Sequence, residues 1–407
     1  MRVLLRAIYP YIYMLLFLTI PFDNYVRALP NILLIALLAL FPFVLNRKDL
    51  FKIRKGPAIV FLLFLLYLLL NSLFFERIAE DIVVIKKIAL AFGLAILYIP
   101  VEDSRKIGMA IIFSSLAAIV FSVIKIIVII NISEDIALGY SREVIEALLI
   151  DRLYLGLLSI LSILVSVRSM SKEYHPNNQY HLINIIVNIL FVFLMVSKIA
   201  IIILAAVFIL RMLYSRYKLA KVLAIAVSGI CIAVLVVAYS NLKQDGNAAE
   251  NGDRMESSFL QNTVTWELRT TVWRCATEVA NSEGLLLDGL GIKKTKELLV
   301  ACYDETIEGN WKRNRYMAME YNSHNQFMDT YLSFGLFALI LFIGFLAVTF
   351  LKNIRHYFSM AMLVGMIGYL MVENVFHRQI GAYYIGFMLI VLLSSNFING
   401  NNEQKEG

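Results

Sequence analysis

Tyr321-Asn322-Ser323-His324-Asn325-Gln326 closes a polar stretch of 85 residues, Asn241 to Asn325, and runs straight into an apolar segment that extends to Phe350. Elsewhere the polar connections are short and the segments between them greasy. One long segment rich in titratable groups, ending in a histidine where the chain re-enters an apolar helix, points to chemistry at a membrane surface.

Composition sets the solvent. Apolar residues make up 60% of the chain and charged residues 16%, against roughly 25% charged in a soluble domain, and the mean hydropathy is +0.75. A chain this apolar cannot hide its surface in one soluble core, so a bilayer is the expected solvent. The first apolar run follows Met1-Arg2 with no small-residue cleavage site behind it, and is predicted to be retained. The net charge of +7 does not imply nucleic acid, because the basic residues sit between apolar runs.

A helix needs about 20 mainly apolar residues to cross ~30 Å of hydrocarbon. The pattern predicts an all-α, polytopic membrane protein of about twelve spans, near 8–22, 31–45, 58–75, 84–100, 108–130, 153–168, 182–197, 199–214, 221–240, 326–350, 357–372 and 382–397. The seventh and eighth meet at Ser197-Lys198 with almost no connection. The chain thus divides into spans one to nine (1–240), the long polar loop (241–325), spans ten to twelve (326–397) and a short tail (398–407). Lys and Arg concentrate in alternate connections: Arg47, Lys48, Lys52, Arg54 and Lys55; Arg105 and Lys106; Arg168 and Lys172; Arg211, Arg216, Lys218 and Lys221; Lys352 and Arg355. Positive-inside bias makes these cytoplasmic, puts both termini and the tail inside, and leaves the long loop outside. That loop is slightly acidic, with 10 Lys/Arg against 13 Asp/Glu over 241–320, which argues against a nucleic-acid surface.

Within the loop, 241–265 is polar and glycine-bearing and reads as flexible. Trp266, Leu268, Val272, Trp273 and Ala276 then recur at helical spacing, Asp288-Gly289-Leu290-Gly291 makes a turn, and Lys293 to Tyr303 resumes the helical period. A basic-aromatic run, Trp311-Lys312-Arg313-Asn314-Arg315-Tyr316, precedes the histidine. Trp266 and Trp273 fit an interfacial belt as well as a sugar platform. Cys231 reads as core; Cys275 and Cys302 both fall in the outside loop, where they are either bridged or two buried thiols. Metal-ligand, P-loop and GxSxG spacings are absent from the sequence, so neither metal nor cofactor is expected.

Four elements occur in one order: Leu268-Arg269 with Trp273, Gly289-Leu290-Gly291, Ser323-His324-Asn325-Gln326-Phe327 with Gly335-Leu336, and Glu373-Asn374 with Arg378-Gln379-Ile380-Gly381. Together they resemble the O-antigen ligase/polymerase family of bacterial membrane glycosyltransferases, over roughly residues 182–397. The chain departs from the family pattern at Ser197-Lys198, where the family usually has Ser-Arg; the charge is kept but the bidentate fork is not.

The resemblance implies an inner-membrane enzyme whose site faces the periplasm. Such enzymes move a glycan from undecaprenyl pyrophosphate to an acceptor hydroxyl on lipid or glycan. It implies His324 as the base and Arg269, Lys198 and Arg378 as cations for the departing diphosphate. Asp151, Arg152 and Tyr154, with Arg142 before them, are candidate donor contacts, as is Asn325; Glu373 either touches substrate or pairs with Arg378. Lys86 and Lys87, inside an apolar run, should face a polar cavity or Glu80 or Asp81, with a diphosphate contact as the functional reading. His377 lies beside the motif but outside it. A ligase fits best, a polymerase uses the same donor, and a transporter or flippase is disfavoured because the loop divides the spans nine to three.

Overall fold

Leu, Ile, Phe and Ala in runs of 15 residues or more leave a backbone no partner but itself, and such runs close into helices. The structure, a computed structural model of the chain, describes residues 2–132, 148–170, 175–195, 197–219, 221–226, 267–284 and 286–394. Among the described residues all regular structure is helical, save one isolated bridge between Ile53 and Ser394. The helices are α1 Arg2–Thr19, α2 Leu29–Val44, α3 Lys55–Phe74, α4 Ile78–Leu97, α5 Ser104–Ile132, α6 Arg152–Ser169, α7 Asn177–Leu194 and α8 Lys198–Leu213. The polar segment supplies α9 Glu267–Ser282, α10 Ile292–Thr306 and α11 Asn310–Met319, and α12 Gln326–Asn353, α13 Tyr357–Val372 and α14 Gln379–Leu393 follow.

Among the described residues, five helices are long and apolar enough to cross a membrane: α1 continued to Phe22, α3, α5 over Ser104–Ile129, α6 and α12. Helices α2, α13 and α14 are apolar but only 15 or 16 residues long, about 24 Å at 1.5 Å per residue. Eleven of the twelve expected apolar runs fall on helices, these eight together with α4, α7 and α8. Most of the ninth, together with Arg142, Cys231, residues 241–266 and the tail 398–407, lies outside the described residues. Helix α4 starts at Ile78, six residues before the expected start of its apolar run, because Glu80 and Asp81 in its first turn suit the positive helix end.

Helix α14 packs along α4, α12 along α3, α1 between α2 and α5, and α13 against α8. A buried polar ladder joins α5, α6 and α7. Ser115 Oγ donates to Asn188 Oδ1 at 2.6 Å, Asn188 Nδ2 to Asn184 Oδ1 at 2.9 Å, and Asn184 Nδ2 to Ser162 and Ser166 Oγ at 2.9 and 2.8 Å. Small serines let the helices approach, and each buried amide finds a partner.

The expected helices in the polar segment form a module with its own apolar core, built on Val272, Ala276, Leu299, Tyr303 and Tyr316. Cys275 and Cys302 are bridged, closing a sequence separation of 27 residues between α9 and α10; loop closure of that size contributes about 3.5 kcal/mol.

The module is locked to the apolar helices through a break in α12. Gly335 has φ 87° and ψ −178°, far from helical. The carbonyls of Leu332 and Ser333, freed by the break, accept from the Leu290 and Gly291 N–H groups at 2.8 Å, and Leu336 N–H donates to Leu286 O at 2.8 Å. A Cβ on Gly335 would sit 2.1 Å from Leu287 O, and one on Gly289 2.5 Å from the Phe334 nitrogen. Arg77 and Asn71 then clamp the same turn: Arg77 donates to Gly289 O at 2.8 Å and Asn71 to Asp288 O at 2.9 Å. Asp81 accepts from Ile292 N–H at 2.9 Å and opens α10.

Gly335→Ala should therefore lower the unfolding temperature in detergent sharply, since strained backbone of this kind costs about 1–3 kcal/mol before any clash. Gly93→Ala, with nothing within 4 Å of the added carbon, should be neutral. Equal melting of Gly335→Ala and the parent chain would contradict the interlock.

Candidate functional site

Five separate pieces of chain meet around a cavity of ≈ 250 Å³. They are the first turn of α6 (Asp151, Arg152, Tyr154), the Ser197-Lys198 turn into α8, α9 (Arg269, Trp273), His324, and the end of α13 with Glu373 and Arg378. Helix α6 begins here because Asp151 caps it, Oδ1 accepting from Leu153 N–H at 2.9 Å. Its other oxygen takes Arg378 Nη1 at 2.9 Å. Helices α6 and α8 both open their N-terminal turns onto the cavity, so two positive helix ends add to the side-chain charge.

His324 sits in the turn before α12 with φ 44°, a left-handed conformation for a residue with a side chain. Neighbouring polar groups hold it there. Asn322 Oδ1 accepts from His324 N–H at 3.1 Å, and Asn374 Oδ1 accepts from Asn325 N–H at 2.7 Å and Ser323 Oγ at 3.2 Å. Backbone in this region costs about 1–3 kcal/mol and persists where its surroundings over-determine it.

His324 Nδ1 lies 3.0 Å from Glu373 Oε2. A carboxylate beside Nδ1 holds the proton there and leaves Nε2 as the acceptor. Nε2 is buried and without a hydrogen-bond partner among the described residues. The ring is set up to receive a proton from something that enters the cavity.

Among the described residues, four cations, Arg152, Lys198, Arg269 and Arg378, face this space with two carboxylates, Asp151 and Glu373, an excess of two positive charges. Arg269 is anchored by Nε donating to Val372 O at 3.2 Å. Burial holds its guanidinium below the usual arginine value and the Arg152 charge adds to this, against the opposing pull of Glu373. It remains a cation, short of solvent and suited to a bound anion. Tyr154 is buried, its hydroxyl has no hydrogen-bond partner among the described residues, and Arg378 lies 5.8 Å above its ring.

The expected residues His324, Arg269, Lys198, Arg378, Arg152, Tyr154 and Glu373 are thus brought together. Asn325 is not a lining residue: its carboxamide oxygen accepts from Phe327 and Met328 N–H at 2.9 and 3.1 Å and caps α12. Glu373 and Arg378 do not form an ion pair with each other; their partners are His324 and Asp151. Lys87 does meet a polar cavity, but a different one of ≈ 320 Å³, where it donates to His377 O at 2.5 Å. Lys86 is exposed. Asp81 is spent on Ser72, at 2.7 Å, and on the α10 cap.

That second cavity holds a group sequence reasoning passed over. His377 Nε2 lies 2.8 Å from Asp329 Oδ2, with Asp329 almost fully buried. The segments 322–325 and 373–378 form a shared wall: His324 and Glu373 face one cavity, His377 and Asn322 the other. The available signal was Asp329, a carboxylate in the first turn of an apolar helix, which needs a partner.

No family model matches the chain, and no curated protein matches it.

Burial works against the His377 imidazolium, but the Asp329 charge and hydrogen bond outweigh it and Glu373 adds to them, so its pKa is raised despite Lys87. A raised folded-state pKa contributes stability that is full below the unfolded value, about 6.5, and is lost as pH rises through the folded value. The melting temperature of the parent chain should fall relative to His377→Gln as pH is taken from 6 to 9. Parallel curves would mean that the pair does not titrate as described.

Proposed function

We propose that this chain is an O-antigen-ligase-type glycosyltransferase that moves a glycan from a lipid diphosphate, undecaprenyl pyrophosphate, to an acceptor hydroxyl on lipid A-core or a similar molecule. The observation that carries this reading is one cavity holding a carboxylate-oriented imidazole with an unpartnered Nε2 beside four cations from separate parts of the chain. The four ordered motif elements of the sequence supply its substrate class.

Acid–base chemistry and charge fit the reaction. His324 Nε2 takes the hydroxyl proton of the acceptor as its oxygen bonds to the anomeric carbon. The bond from that carbon to the phosphate oxygen breaks, and its electron pair leaves with the lipid diphosphate. Arg269, Lys198 and the two helix N-termini stabilise the charge that builds there. Glu373 keeps the imidazole in the required tautomer and stabilises the imidazolium. A polymerase would use the same donor side, and the accumulated lipid-linked product in a deletion strain, long chains or single repeat units, separates the two.

In the proposed topology the chain has twelve spans in the bacterial inner membrane, both termini are cytoplasmic, and the polar module and cavity face the periplasm. The Cys275–Cys302 bridge supports this side for the module, since such bridges persist in oxidising compartments. The three short apolar helices and α4, α7 and α8 are included as spans that tilt little or thin the bilayer locally. A single cysteine introduced near Asn247 should react with an impermeant thiol reagent in intact spheroplasts, and one near Lys52 only after lysis. The reverse pattern would overturn the orientation.

His324→Ala should leave the protein inserted and lower transfer by about 10²–10⁴-fold. Arg269→Ala should be severe and Arg269→Lys nearly as damaging, because a point charge does not replace a fork. Lys198→Arg should be tolerated, whereas Lys198→Ala should lose most activity. Near-normal transfer by a well-expressed His324→Ala protein removes that residue from the mechanism.

A further inference from the structure

Helix α6 carries Arg152 at one end and Arg168 near the other, 16 residues apart, which is about 24 Å along its axis. Arg152 lines the His324 cavity; Arg168 lines a larger hollow of ≈ 760 Å³ at the opposite end of the same helix. The hollow is walled by the first turns of α5, the last turn of α6, the start of α7 and Phe358 of α13.

Its lining is divided in two. Arg105, Arg168, His175 and His181 supply the basic groups, with neutral serine, asparagine and tyrosine side chains beside them, and no Asp or Glu lines it among the described residues. Met109, Ile112, Phe113, Val165 and Ile183 supply the rest. Met109, Phe113 and Ile183 are 50, 54 and 58% exposed, so the apolar trough opens sideways on the outer face of the bundle, where lipid chains would lie. Arg168 makes a cation–π contact with Phe358, its guanidinium carbon 4.8 Å from the ring centroid, and both residues line the hollow.

A soluble anion would use the cations and leave the trough unexplained. A neutral hydrophobe would use the trough and ignore the cations. An amphiphile with an anionic head uses both. We propose that the hollow binds an anionic phospholipid, its phosphate on Arg105 and Arg168 and an acyl chain along Met109, Phe113 and Ile183. The positive-inside pattern puts this end at the cytoplasmic leaflet, whose anionic lipids favour basic pockets between helices. The inference rests on the membrane reading and is independent of the transfer chemistry.

The test uses the full chain, purified and delipidated in detergent, with native mass spectrometry against phosphatidylglycerol and phosphatidylcholine of identical acyl chains. A saturable first phosphatidylglycerol is expected to bind on the order of 25-fold tighter than phosphatidylcholine. Arg105→Gln with Arg168→Gln should lower that preference by about five-fold per arginine. Arg47→Gln with Lys48→Gln, basic residues outside the hollow, should leave it intact. Arg105→Gln alone carries the same test if Arg168 proves necessary for folding. Equal affinity for the two lipids, a preference untouched in the Arg105 variants, or displacement of the lipid by millimolar inorganic phosphate would overturn the proposal.

Discussion

A helix that breaks at Gly335 frees two carbonyls deep in the molecule, and the Leu290 and Gly291 N–H groups fill them. That exchange is the constraint from which the rest of the arrangement follows. It fixes where the polar module sits on the apolar helices, because both partners are backbone and the approach is too close for any Cβ. Arg77, Asn71 and Asp81 then tie the same turn to α3 and α4. The disulfide between α9 and α10 carries this fixed point through to Arg269 on α9. A cation in a 16-residue surface helix is thereby held against the end of α13, where its Nε meets Val372 O. Positioned charge of this kind loses little in reorganisation when an anion forms beside it.

The histidine depends on a second constraint. Residues 322–325 and 373–378 lie together as a thin wall, stitched by Asn374, whose side-chain oxygen serves both Ser323 and Asn325. Gln326 Oε1 accepts from Phe376 N–H at 3.2 Å and completes the seam. Each side of the wall carries one histidine–carboxylate pair. The two pairs differ in surroundings: His324 faces an excess of positive charge, whereas His377 has Asp329 almost fully buried beneath it. The first arrangement leaves a ring nitrogen open for chemistry; the second uses its ring to satisfy a buried acid.

Much of this was legible in the residues. The ordered motif elements and the charged ends of the apolar runs singled out Arg152, Tyr154, Lys198, Arg269, His324, Glu373 and Arg378, and one cavity gathers all seven. Helical periodicity also marked α9 and α10. What stayed hidden was pairing. That Glu373 orients His324, 49 residues away, and that Arg378 meets Asp151 rather than Glu373, are facts of tertiary geometry. Asn325 lies outside the cavity lining for a local reason: asparagine just before an apolar helix is a favoured N-cap, and that role takes its side-chain oxygen. The Arg77–Asn71 clamp escaped notice because neither residue lies near a recognisable motif, and the start of α4 was missed because an apolar count ignores a first turn carrying Glu80 and Asp81.

The central claim is that a base on one side of the anomeric carbon and cations on the other drive a single displacement. The most direct measurement is the anomeric configuration of the product made by the purified protein in proteoliposomes, from a lipid-diphosphate-linked glycan of known configuration and a hydroxyl acceptor. Direct attack by the acceptor requires inversion at that carbon. A product with inverted linkage is the expected result; a product with retained configuration, which requires a glycosyl-enzyme intermediate, would contradict the account, as would the absence of any transfer from that donor.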